Sequence, residues 1–276
     1  MRSVRGGADH LSMRSVMERN NVRLAGPESG RPMLFAHGFG CDQHMWRLVA
    51  PAFASDRRVV LFDHVGAGGS DLAAYDPARH GTLDGYADDI LAICDELGLQ
   101  DVALVGHSVS ATIGVLAAIR RPELFESLVL VGPSPRYLDD AGYTGGFSRA
   151  DIDELLEALD TNYLGWTASM ASLVMGPDAT AEQVEELAAA FCRSDPEITQ
   201  AFARVTFLGD NRADLGHVQT RTLVMQCSDD AIAPREVGDY VHARIPGSEL
   251  VVVETTGHCP QLTAPRETIR AIGVFL

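Results

Sequence analysis

The stretch Val102-Ala-Leu-Val-Gly-His-Ser-Val-Ser-Ala-Thr-Ile-Gly114 constrains the chain more than any other. Residues 102–105 are all apolar and read as a short buried strand. Ala111, Val115, Leu116 and Ile119 then follow at the spacing of an amphipathic helix. Between strand and helix stands Ser108, two residues after Gly106. A strand that becomes a helix across a single Ser with small residues on either side is the pattern of a nucleophile elbow. So tight a turn excludes bulky flanks and lifts the hydroxyl above the sheet edge, at the N-terminus of the helix. Free backbone N–H groups and the helix dipole favour negative charge there. The flanking position usually held by a second glycine is Ser110, which is still small.

Strand and helix patterns alternate around this turn. Residues 31–36 read as a strand ending in the loop His37-Gly-Phe-Gly40, and 45–53 as a helix. Residues 58–63 read as a strand, 82–97 as a helix and 125–132 as another strand. Later come a strand at 221–227, a helix at 234–244, a strand at 248–254 and a helix at 265–276. Such alternation implies a mostly parallel sheet covered by helices on both faces. The glycine-rich run 63–71 fails the G-x-G-x-x-G spacing, because Asp71 stands where the third Gly belongs.

Between residues 136 and 214 the alternation stops and four helical patterns follow, separated by Gly176-Pro177 and Asp195-Pro196. This block carries 15 Asp and Glu against 5 Arg and no Lys, which is −10 of the chain's net −16. The expected organisation is therefore a core begun by 1–135, a helical lid at 136–214, and a core completed by 215–276. An acidic lid disfavours anionic substrates.

The net charge argues against nucleic acid and anionic membrane surfaces as partners, since both require a basic footprint. No run approaches the roughly 18 apolar residues of a membrane span. Arg2 and Arg5 have no apolar stretch behind them, so residues 1–10 do not read as a secretory signal. Met1-Arg-Ser-Val4 recurs as Met13-Arg-Ser-Val16, which makes Met13 an alternative start, and residues 1–13 are expected to be poorly ordered. Five scattered cysteines without C-x-x-C pairs fit reduced thiols in a cytoplasmic protein. With neither H-E-x-x-H nor a dinucleotide fingerprint, no metal or organic cofactor is implied.

A Ser nucleophile needs a general base, and the base needs an orienting acid. In this architecture they follow in the order Ser, acid, His. Asp230 lies just past one late strand and His258 just past the next. Asp229 is the rival acid; Asp230 is preferred because it leads Asp-Ala-Ile-Ala-Pro234 into a helix. His242 falls inside a helix pattern. The oxyanion donors expected are the N–H of Val109 and that of Phe39, whose flanking glycines permit close backbone approach. His37 reads as a structural histidine orienting the Phe39 loop.

At these residues the chain resembles the α/β-hydrolases. More narrowly it resembles the RsbQ-type sigma-factor-regulation hydrolases and their plant relatives, the karrikin and strigolactone receptors. The resemblance spans residues 20–272. It is carried by His37-Gly-Phe-Gly-Cys-Asp42, Leu83-Asp-Gly-Tyr86, Gly106-His-Ser-Val-Ser-Ala111, Arg121-Pro-Glu-Leu-Phe125 and Pro133-Ser-Pro-Arg-Tyr137. It continues through Gly145-Gly-Phe147, Asn162-Tyr-Leu-Gly-Trp166, Phe191-Cys-Arg-Ser-Asp-Pro196, Asp230-Ala-Ile-Ala-Pro234 and Gly257-His-Cys-Pro260. The plant receptors also carry Ser at the position of Ser110.

The resemblance implies a four-helix V-shaped lid and a triad of Ser108, Asp230 and His258. It also implies oxyanion donors at Phe39 and Val109 and a small apolar pocket. Trp166 and Phe207 match pocket positions of the family, with Tyr137 and Met170 as weaker matches; simple lid packing is the alternative for such residues. The expected activity is hydrolysis of small uncharged apolar esters or lactone-like molecules. The alternative from another class is a stress-signalling component that binds or slowly hydrolyses a small molecule and engages a PAS-domain phosphatase. A cofactor-free perhydrolase side activity shares the same triad.

Overall fold

The computed structural model describes residues 15–276. The expectations for residues 1–13 and for the choice between Met1 and Met13 lie outside the described residues. The first half of the chain runs α1 (Val16–Arg19), β1 (Arg23–Ala25), β2 (Arg31–Ala36), β3 (Arg57–Leu61), α2 (Pro77–His80), α3 (Leu83–Glu96), β4 (Val102–His107), α4 (Val109–Arg120) and β5 (Phe125–Val131). Four helices follow: α5 (Arg149–Thr161), α6 (Tyr163–Met175), α7 (Ala181–Arg193) and α8 (Pro196–Leu208). The chain then returns through β6 (Arg221–Asp229), α9 (Arg235–Arg244), β7 (Glu249–Thr256), α10 (Pro260–Thr263) and α11 (Pro265–Phe275).

The strands form one sheet in the order β1-β3-β2-β4-β5-β6-β7. Only β1 runs antiparallel, against β3; the other neighbours are parallel. β4 is thus the central strand, and all six of its residues are buried. Side chains alternate between faces along a strand, and the two cores divide accordingly. Phe35, Ala103, Val105 and Val131 belong to one. Leu34, Leu104, Leu128 and Leu130 belong to the other, against α3, α4 and α9. Burial on both faces explains why β4 reads as a continuous apolar run.

Two local readings differ from expectation. The helix expected at 45–53 is instead a pair of short 3-10 turns, Gln43–Trp46 and Ala50–Phe53. Pro51 interrupts it, because proline has no N–H to donate and clashes with the preceding turn. β1 was not expected; its three residues are all exposed, so it carries no apolar signature.

The four inserted helices begin where their caps dictate. Ser148 with Asp151, and Thr180 with Gln183, form capping boxes at α5 and α7. Asp195 caps α8 just ahead of Pro196. The insertion is tied to the sheet domain by Arg193 of α7 on Asp42 at 2.6 Å and by Arg47 on Glu186 of α7 at 2.5 Å. Gly40 (φ +70°) makes room for the insertion: a β-carbon there would sit 1.6 Å from the Phe191 ring.

Truncation of Leu104 to Ala, at a position only 1% exposed, is expected to cost about 2–5 kcal/mol. The same change at Leu164, 72% exposed on α6, is expected to stay within about 0.5 kcal/mol. Urea denaturation of both variants measures the contrast.

Candidate active site

Parallel strands deliver their C-terminal ends to one edge, and four loops there build the site. The loop after β2 carries Phe39, the turn after β4 carries Ser108, and the loops after β6 and β7 carry Asp230 and His258. Ser108 has φ +57° and ψ −122°, outside the comfortable range of a residue with a side chain. Its N–H donates to the Val131 carbonyl at 2.8 Å, anchoring the turn to β5. Gly106 is required there: a β-carbon would lie 2.4 Å from the Ser110 carbonyl oxygen.

The Ser108 Oγ lies 2.7 Å from His258 Nε2, and His258 Nδ1 lies 2.7 Å from Asp230 Oδ2. All three residues are buried. Asp230 Oδ1 accepts from the N–H groups of Ile232 at 2.9 Å and Ala233 at 3.1 Å. These partners settle the tautomer. Nδ1–H faces the carboxylate, which leaves Nε2 to accept the serine proton. Asp229, the rival acid, ends β6 with its side chain exposed and offers only its backbone carbonyl, to the N–H of Gly257.

Burial raises the Asp230 carboxyl, but the His258 ring and the two N–H donors outweigh it and hold the group below the usual carboxylate range. The acid stays ionised beside the ring.

Tyr137 is brought closer to the chemistry than a lining residue. Its hydroxyl is 3.1 Å from Ser108 Oγ. The serine hydrogen is directed at His258, so Tyr137 donates to Oγ. Burial pushes its phenol well up, which keeps it a neutral donor.

Three groups that sequence reasoning passed over hold His258 in place. His107 donates Nε2–H to the His258 carbonyl at 2.8 Å. The His258 N–H donates to the Val174 carbonyl near the end of α6 at 2.7 Å. Gly132 (φ +56°) leaves room for the imidazole; a β-carbon would stand 3.0 Å from its Cε1. His107 directly precedes Ser108 in the elbow motif and Gly132 follows β5, so both stand in view, but neither has a spacing signature.

Phe39, Ser108, Tyr137, Met170, Phe207 and His258 line one small cavity of about 30 Å³. Trp166 is not on its surface. Its indole packs behind the wall, 6.0 Å from the Phe39 ring and 5.1 Å from Phe191 between centroids. Among the described residues, neither the Phe39 N–H nor the Val109 N–H donates to a protein acceptor. A larger open groove of about 690 Å³ lies beside β1 and β3, lined by Arg23, Trp46 and Arg47 among others, but it lies away from Ser108 and His258.

A serine, a correctly protonated imidazole and a buried carboxylate in one hydrogen-bonded line equip the site for acyl transfer. The family description "alpha/beta hydrolase fold" matches residues 31–265. The chain belongs to the α/β-hydrolase family. The hydrolase is 42% identical over 258 residues to the strigolactone esterase of Arabidopsis thaliana, covering 93% of this chain and 96% of that one. It is 40% identical over 251 residues to a karrikin insensitive 2 receptor of Petunia hybrida, covering 91% and 93%. Among solved structures, a hydrolase from Oleispira antarctica matches with a TM-score of 0.92 at 37% identity over 94% of this chain and 95% of that one. Among the described residues, no helix is long and apolar enough to cross a membrane.

Burial beside His258 depresses His107 to about 3, and burial with the neighbouring His37 takes His64 well below its ordinary range. Unfolded histidines take up a proton below about pH 6.5, and these two do not in the folded state. Stability is therefore unaffected by them above that pH and falls as pH drops from 6.5 toward 4, by up to about 1.4 kcal/mol per pH unit for each. Asp230 adds its own loss only below its unfolded value, near 3.8. Urea midpoints at pH 7.5, 6 and 4.5 check this; a flat profile contradicts it.

Proposed function

We propose that this hydrolase is a serine carboxylesterase that cleaves small, uncharged, apolar esters or lactones through an acyl-enzyme. The observation that carries the reading is the continuous line from Asp230 through His258 to Ser108, with both links at 2.7 Å.

Ser108 Oγ attacks the carbonyl carbon while His258 Nε2 takes its proton. Asp230 keeps the imidazole in the required tautomer and stabilises the imidazolium. The Phe39 and Val109 N–H groups receive the oxyanion; loss of one such donor typically costs about 10²–10³ in kcat. As the tetrahedral intermediate collapses, His258 returns its proton to the departing alkoxide. Water, activated by the same imidazole, then attacks the acyl carbonyl and releases the acid and Ser108.

The substrate class follows from the walls. Phe39, Met170, Val174, Phe207 and Ile232 present apolar surface, and the cavity near Ser108 is small. At about 30 Å³ it holds little more than a water molecule. An ester therefore enters only if α5–α8 or their side chains move, which makes the insertion a lid. Its acidity favours uncharged substrates.

A second reading is favoured by the names of the relatives, which include receptors as well as esterases. In it, binding or slow hydrolysis of a small molecule alters the lid for a partner, with a PAS-domain phosphatase as the candidate. The two readings separate if signalling survives in Ser108→Ala.

Hydrolysis of p-nitrophenyl acetate and butyrate tests the esterase reading. Wild type is expected to turn both over, with Ser108→Ala at background and Asp230→Asn reduced by about 10⁴ in kcat. A wild type without turnover, or a Ser108→Ala variant that keeps it, overturns the proposal.

A further inference from the structure

A second buried hydrogen-bond chain lies behind the nucleophile, and the mechanism above does not use it. It joins the loop after β2, the loop after β3 and the first turn of α4. Ser110 Oγ donates to the His37 carbonyl at 2.5 Å. Its single hydrogen is thereby committed, so its 2.7 Å contact with His64 Nε2 has the histidine N–H as donor. The His64 backbone N–H donates to His37 Nε2 at 3.0 Å. That makes Nε2 of His37 the acceptor and Nδ1 the protonated nitrogen, and Nδ1–H donates to the Gly38 carbonyl at 2.9 Å. The Cys41 N–H reaches the same carbonyl at 3.2 Å.

The end of this chain is the peptide joining Gly38 to Phe39. A trans peptide is planar, with its C=O and N–H pointing in opposite directions. Whatever fixes the Gly38 carbonyl therefore fixes the direction of the Phe39 N–H. Ser110, His37 and His64 are each 0–1% exposed, so bulk solvent does not reach these bonds. His64 stays neutral because burial and the nearby His37 disfavour its charged form. Its donor thus persists across the working pH range. Its ring is boxed by Phe62 and Tyr86 and by Phe202 of α8.

We propose that Ser110 and His64 are positioning residues that aim the Phe39 N–H at the developing oxyanion, acting through His37 and the Gly38–Phe39 peptide. The inference rests on the esterase reading, and within it gives a reason for Ser at a position where the elbow pattern has Gly. A glycine there leaves the His37 carbonyl without this donor and the His64 N–H without this acceptor.

The test compares Ser110→Ala with wild type and with Thr112→Ala. Thr112 is a buried hydroxyl on the same helix whose partner is the Ser134 carbonyl, outside the chain. Rates are normalised to the fraction of protein labelled by a fluorophosphonate, so misfolded molecules do not count. Substrates are p-nitrophenyl acetate and its thiono analogue, in which sulfur replaces the carbonyl oxygen. Sulfur accepts hydrogen bonds weakly, so the preference for the oxygen ester reports how well the donors are aimed.

Ser110→Ala is expected to lose about tenfold in kcat for the oxygen ester with KM unchanged. Its oxygen-over-sulfur preference should fall by about the same factor. Thr112→Ala should keep the wild-type preference. An unchanged preference in Ser110→Ala, with wild type active, overturns the inference and leaves the esterase reading standing. Absence of turnover by wild type removes the esterase reading, and the inference with it.

Discussion

The left-handed backbone of Ser108 is the constraint on which the rest of the site is built. A non-glycine residue at φ +57° costs about 1–3 kcal/mol and persists only where its surroundings over-determine it. Here they do. β4 is buried on both faces and lies between β2 and β5, the Ser108 N–H is tied to Val131, and Gly106 lets α4 start against the strand end. The strain places the hydroxyl at the mouth of a helix, beside a backbone N–H that has no protein acceptor among the described residues. Stability spent on that geometry comes from the apolar strands beneath it.

His258 is held as firmly as the hydroxyl. His107 secures its backbone carbonyl from the elbow, Val174 secures its backbone N–H from the inserted helices, and Gly132 clears space for the ring. The Val174 bond has a physical consequence: the end of α6 and the base share a hydrogen bond, so displacement of the insertion is felt at His258. A cavity of about 30 Å³ and a base bonded to the helices that close it are two sides of one arrangement. The ion pairs Arg193–Asp42 and Arg47–Glu186 fasten the other side of the same insertion.

Much of this was legible in the sequence because it depends on chain order and periodicity. The elbow, the parallel sheet and the four helices between β5 and β6 are written in apolar spacing and in Gly and Pro punctuation. Asp230 and His258 follow strand ends, and a parallel sheet brings all such ends to one edge. What escaped depends on contacts between residues distant in sequence. Nothing in a single Tyr predicts that the Tyr137 hydroxyl meets Ser108 Oγ, and nothing in the spacing of Trp166 predicts that Phe39 covers it. β1 was invisible because it is short and exposed, and the 45–53 helix failed on the one residue, Pro51, that cannot continue it.

The central claim is that Ser108 is the group that becomes acylated, because the strained turn exposes it to a buried, carboxylate-backed base. Reaction with a fluorophosphonate, followed by peptide mass mapping, measures this most directly. A single adduct per chain is expected, on the peptide carrying Ser108, and it is expected to be lost when His258 is replaced by Ala. An adduct on another residue, or unmodified protein after prolonged exposure, contradicts it.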